Sequence, residues 1–121
     1  MSDRIEIRDL LLRTIVGING EERVNRQDVL INVTLHLDVR PAARSDAIAD
    51  AVDYRALTKA IIRHVEESQY HLLETLTERV AGLCLEFDER IGRVAVTVDK
   101  PNALRFTRSV AVTVERSRED V

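Results

Sequence analysis

The chain has one cysteine, two prolines, four glycines and no tryptophan among its 121 residues, and only 3% of it is aromatic. A single cysteine, Cys84, cannot close an intrachain disulfide; it falls within an apolar helical pattern, where it reads as core packing in a reducing compartment. So few prolines and glycines leave no stretch that reads as an internal linker. Scarce aromatics offer few platforms for stacked bases, and 18 basic against 21 acidic residues, a net charge of -3, create no overall positive field. No nucleic-acid partner is expected. No apolar run approaches the roughly 18 residues of a membrane span, and the start Met1 to Ile5 carries no apolar targeting segment. A cytoplasmic protein with no membrane partner is expected.

What the chain does have is pattern. A hydrophobic content of 45% and a charged content of 32%, at a length that can bury its own core, predict one folding unit over residues 1–121. Only the tail from Arg116 to Val121 reads as disordered. From Gln27 to Val39 aliphatic and mostly polar residues alternate, the period of a half-buried strand. Val94, Val96 and Val98 repeat it, as do Val110, Val112 and Val114. Ile5 and Ile7 open a fourth strand that breaks near Asp9 and resumes from Arg13 to Ile18. Between the second and third strands the period becomes helical: Leu57, Ala60, Ile61, His64 and Val65 share one face, with Asp53 as N-cap. Leu72, Leu73, Leu76, Val80, Leu83, Cys84 and Phe87 form a second stripe, with Gly92 beyond it as a stop signal.

The predicted class is α+β, in the order ββααββ, with both helices on the aliphatic face of an antiparallel sheet. A four-stranded open sheet leaves two edges to protect. Pairing with neighbouring subunits into a closed barrel removes them, and the polar alternates then line a tunnel.

The strand from Val94 delivers Lys100 to its end and is stopped by Pro101. A lysine there is either a solvated guard against edge pairing or, held in a cleft, a group for proton transfer. Glu74 reads as a carboxylate favoured at a helix N-terminus, Tyr54 as a packing residue at the start of the first helix, and Glu22 as a solvated loop residue after Gly17 to Gly20. His36, His64 and His71 show no ligand pair at metal spacing, so neither metal nor cofactor is expected.

The pieces LRTIVGI at 12–18, Glu22, NRQDVLINV at 25–33, VDYR at 52–55, LLETL at 72–76, Asp99-Lys100 and ALR at 103–105 together resemble the dihydroneopterin aldolase family across nearly the whole chain. The resemblance implies the tunnelling fold, four subunits closing a sixteen-stranded barrel, and two rings stacked as a homo-octamer with sites at subunit interfaces. It implies a small-molecule dihydropterin substrate. Lys100, Glu22 and Tyr54 become the catalytic residues, with Lys100 carrying protons, Glu22 orienting it and Tyr54 assisting. Glu74, with Tyr54 and Leu73, binds the pterin. Leu12-Arg13-Thr14, the segment 25–28 and Ala103-Leu104-Arg105 look closer to the branch that epimerises C2′ of dihydroneopterin triphosphate, whereas Lys100-Pro101 looks like the aldolase branch. Arg13, Arg55, Arg105 and Arg108 are candidates for phosphate contact. Zinc-dependent pterin enzymes are disfavoured for want of ligands; a non-catalytic barrel binding a pterin or purine stays open.

Overall fold

The computed structural model describes residues 3–120. Its elements are β1 (Arg4–Val16), α1 (Gly20–Val24), β2 (Gln27–His36), α2 (Arg40–Ser45), α3 (Tyr54–Glu67), β3 (Gln69–Tyr70), α4 (Leu73–Phe87), β4 (Arg93–Pro101) and β5 (Ser109–Ser117). The sheet order is β3-β1-β2-β4-β5. All pairings are antiparallel except the two-residue β3, which lies parallel to β1. The expected ββααββ order holds, with β3 inserted between the long helices.

Alternation decides which face of the sheet is covered. Val29, Ile31, Val33 and Leu35 of β2 and Val94, Val96 and Val98 of β4 are buried together with Leu57, Ile61 and Val65 of α3 and Leu76, Val80 and Cys84 of α4. One aliphatic face thus meets two apolar helical stripes, and burial of both offsets the entropy of ordering them. Asp53 caps α3 as expected, its carboxylate accepting from the Ala56 N–H at 2.9 Å.

The break in β1 is a bulge. Ile5 and Ile7 pair with Leu35 and Val33, and after a register shift Leu10 and Leu12 pair with Ile31 and Val29. One extra residue therefore moves the inward positions from odd to even numbers. Asp9 sits in the left-handed region, φ 54°, and its N–H donates to Asn32 Oδ1 at 2.9 Å.

Several expectations need correction. β2 ends at His36, not Val39, because the chain turns there into α2. The stripe of α4 is rotated toward Thr77, Ala81 and Leu85, while Leu72 is half exposed and Phe87 reaches solvent. Thr77 is tolerated inside because its hydroxyl donates to the Leu73 carbonyl at 2.8 Å. Gly92 does not stop α4; the helix ends at Phe87 with Asp88 extended. The tail is ordered through Asp120: Arg116 grips both carboxylate oxygens of Glu78 at 2.8 and 3.1 Å, and Arg118 donates to the Asp88 carbonyl at 2.7 Å. Val121 lies outside the described residues.

Asp9→Val places a β-branched residue in the left-handed region. It is expected to lower the stability measured by urea unfolding by about 1–2 kcal/mol, whereas Asp9→Gly keeps the bulge and loses less. Equal stability of the two variants would contradict the register described.

Candidate active site

Lys100 continues the inward parity of Val94, Val96 and Val98, so its side chain enters the covered face and only 9% of the residue is exposed. A buried ammonium is costly unless hydrogen-bonded and paired. Its Nζ donates to the Val16 carbonyl at 3.1 Å and forms an ion pair with Glu22. Glu22 is correspondingly not a solvated loop residue, its side chain being 21% exposed.

The turn after β1 delivers that carboxylate. Gly17 adopts φ 136°, and a β-carbon there would collide with the Glu22 carboxylate, so glycine is required both for conformation and for clearance. The Asn19 N–H donates to Glu22 Oε1 at 3.2 Å. Arg23, the next residue, donates to the carbonyls of Gly17 at 3.1 Å, Tyr70 at 3.0 Å and Gln69 at 2.7 Å. One guanidinium thereby ties α1 to β3, three residues before the start of α4. The hydrogen bond from Lys100, with help from backbone donors, holds the Glu22 carboxyl below the usual carboxylate range despite some burial.

Lys100 and Glu22 open on a cleft of about 370 Å³ lined also by Arg13, Asn25, Arg26 and Asn102. The other expected residues lie elsewhere in the chain. Tyr54, 57% exposed, lines a second cleft of about 430 Å³ with Ile48, Val52 and Arg55. Leu73 packs half-buried against the core, and Glu74 is exposed in the first turn of α4. Neither Tyr54, Leu73 nor Glu74 lines the cleft that holds Lys100. Arg105 lies 5.1 Å over the Phe106 ring, and Arg108 is exposed.

Burial pushes the Cys84 thiol up to about 12, which leaves it unreactive near neutrality. His64 shares a 2.9 Å hydrogen bond with the Tyr70 hydroxyl. Among the described residues no three His, Cys, Asp or Glu side chains gather as a metal cage. Sequence patterning passed over Arg23 and Arg26 as site residues. Arg26 lay inside a motif already singled out; the bonds of Arg23 to carbonyls left no pattern to find.

The family model described as FolB, dihydroneopterin aldolase, matches residues 5–115. A dihydroneopterin triphosphate 2′-epimerase of Pseudomonas aeruginosa is 46% identical over 115 residues, covering 95% of this chain and 93% of that protein. A dihydroneopterin aldolase of Streptomyces coelicolor is 39% identical, covering 96% and 98%. The crystal structure of Escherichia coli dihydroneopterin aldolase in complex with neopterin superposes with a TM-score of 0.90 at 30% identity, covering 95% of this chain and 99% of that one. The architecture is thus a tunnelling fold carried by an enzyme. The chain belongs to the dihydroneopterin aldolase family.

The lowered Glu22 pKa has a defined sign. Stability from the Lys100–Glu22 pair is fully present above the ordinary value of 4.5 and is lost as pH falls through the lowered one. Thermal melts of the parent and of Glu22→Gln, which leaves Lys100 without its counter-charge, are expected to differ most at neutral pH and to converge in acid. A gap independent of pH would contradict the pairing.

Proposed function

We propose that the chain is a dihydroneopterin triphosphate 2′-epimerase, acting by retro-aldol cleavage and aldol re-addition. The observation that carries this reading is the part-buried Lys100–Glu22 pair at the edge of an open polar cleft; the 46% identical epimerase of P. aeruginosa supports the particular reaction.

The 7,8-dihydropterin ring already holds an N5=C6 imine beside C1′. A base takes the 2′-hydroxyl proton, the C1′–C2′ bond breaks, C2′ leaves as an aldehyde, and the bond electrons flow through C6 onto N5, which gains a proton. Neither a Schiff-base lysine nor a metal is needed, because the substrate stores the electron pair. Lys100 carries this proton traffic through an ordered water. Glu22 fixes the amine, since two of the three donors of an ammonium are spent on Val16 and Glu22 and the third is left for the cleft. Re-addition of the aldehyde by its opposite face inverts C2′.

Glu74 accepts from the amino group and ring N–H of the pterin, a planar two-point match for a carboxylate. The Leu73 backbone region and Tyr54 flank the ring, with Tyr54 assisting proton transfer. Because these three lie outside the Lys100 cleft of one chain, the reading completes each site across neighbouring subunits of a homo-octamer. Exposed Ile18, Leu104 and Phe106 suit contacts between copies. A cytoplasmic setting is in keeping with the free thiol of Cys84.

Dihydroneopterin aldolase activity, releasing glycolaldehyde and 6-hydroxymethyl-7,8-dihydropterin, is the second reading. It is favoured by the 39% identical aldolase of S. coelicolor. The two diverge only in whether the aldehyde is retained.

Incubation with dihydroneopterin and with its triphosphate, followed by chiral chromatography, is expected to give mainly C2′ inversion of the triphosphate. Predominant cleavage would favour the aldolase. Lys100→Met is expected to lower kcat about 10²–10⁴-fold with neopterin binding retained. Glu74→Ala should raise the neopterin Kd by about tenfold or more. Parental turnover in both variants would remove the site assignment.

A further inference from the structure

The cleft beside Lys100 is lined by two arginines that proton transfer does not require, together with the carboxylates of Glu21, Glu22 and Asp28. Arg26 reaches it from the loop between α1 and β2, and its Nη1 donates to the carbonyls of Glu66 at 3.0 Å and Arg13 at 3.4 Å. Both acceptors are neutral, and among the described residues no carboxylate forms an ion pair with this guanidinium. A guanidinium fixed by backbone carbonyls keeps its full charge and most of its five donors for a ligand.

Arg13 approaches the same cleft from β1, donating to the Arg26 carbonyl at 3.1 Å. Its carboxylate partner is Asp28 at 3.2 Å, with side chains 67% and 56% exposed. Ion pairs this open contribute about 0–1 kcal/mol, so Arg13 can exchange Asp28 for a more highly charged anion. Asn25 and Asn102 add neutral polar lining.

The placement matters as much as the charge. Arg13, the segment 25–28 and Ala103 all line this one cleft with Lys100. Arg13 and the segment 25–28 come from the first strands and Ala103 from the loop after β4, so the fold closes the cleft from both ends of the chain.

We propose that the Arg13–Arg26 end of the cleft binds the phosphorylated end of the substrate side chain and thereby selects a phosphorylated over an unphosphorylated dihydropterin. This rests on the functional reading above and deepens it. Holding the aldehyde fragment by its phosphates after C1′–C2′ cleavage also keeps it in place for re-addition, which is what separates inversion from release.

The test measures kcat/KM for dihydroneopterin triphosphate and for dihydroneopterin, in the parent and in Arg26→Gln and Arg13→Gln. The ratio of the two values is expected to fall about 10- to 100-fold in Arg26→Gln, the loss of one charge-assisted contact, and less in Arg13→Gln. The released fraction of the phosphorylated aldehyde should rise in both. A ratio within threefold of the parent in both variants overturns the proposal, as does an equal loss for both substrates, which marks Arg26 as a scaffold residue only. Should Arg26→Gln fail to fold, Arg13→Gln carries the same readout.

Calorimetry with inorganic triphosphate separates this proposal from the reading beneath it. Binding by the parent that is weakened in the variants supports the anion site even if no pterin is turned over, in which case the functional reading fails alone. No binding by a parent that epimerises the triphosphate without preference over dihydroneopterin overturns the anion site and leaves the functional reading intact.

Discussion

A single buried charge organises this molecule. Lys100 follows three valines into the covered face of the sheet, and the surrounding chain is arranged to make that ammonium tolerable. An unpaired charge there would cost several kcal/mol, on the order of what a whole domain has to spare. The Val16 carbonyl and the Glu22 carboxylate supply the compensation. Glu22 can reach only because Gly17 has no side chain and adopts a conformation other residues avoid. The requirement of one amine thus extends back through a turn to the end of the first strand.

The same turn connects the site to the rest of the fold. Arg23 satisfies three carbonyls at once, two of them on β3, so the helix bearing Glu22 and the segment leading into Glu74 are fixed relative to each other. Thr14 contributes from β1, its hydroxyl donating to the Val65 carbonyl at 2.6 Å at the end of α3. Thr14 and Lys100 thus spend their polar groups on joining elements, whereas among the described residues the buried His36 Nδ1 and Asp99 Oδ1 have no hydrogen-bond partner.

The strands and long helices were legible because their periods are strong: the valine alternation of β4 and β5 and the Leu57, Ile61, Val65 spacing leave one reading each. The break at Asp9 was visible as a lapse in alternation. What escaped were elements too short to show a period: α1, with its Asn19–Glu22 capping box, α2, with Pro41 near its start, and the two-residue β3. The tail reads as disordered because its residues show no apolar period, whereas Arg116 and Arg118 have partners on α4 and just beyond it. For the site, residue identities at Lys100 and Glu22 came from resemblance, and their mutual approach is a matter of geometry. Arg26 looked like any surface arginine, since nothing in a linear pattern tells which carbonyls a guanidinium will meet.

The inserted residue at Asp9 has a consequence for shape. A bulge raises the local right-handed coiling of its strand, and β1 lies next to β2, the strand that also carries β4 on its other side. Curvature introduced at one point is passed across the sheet through its hydrogen-bonded neighbours. The sweep of the sheet toward its outer strand β5 is thereby set in part by a lone aspartate in β1.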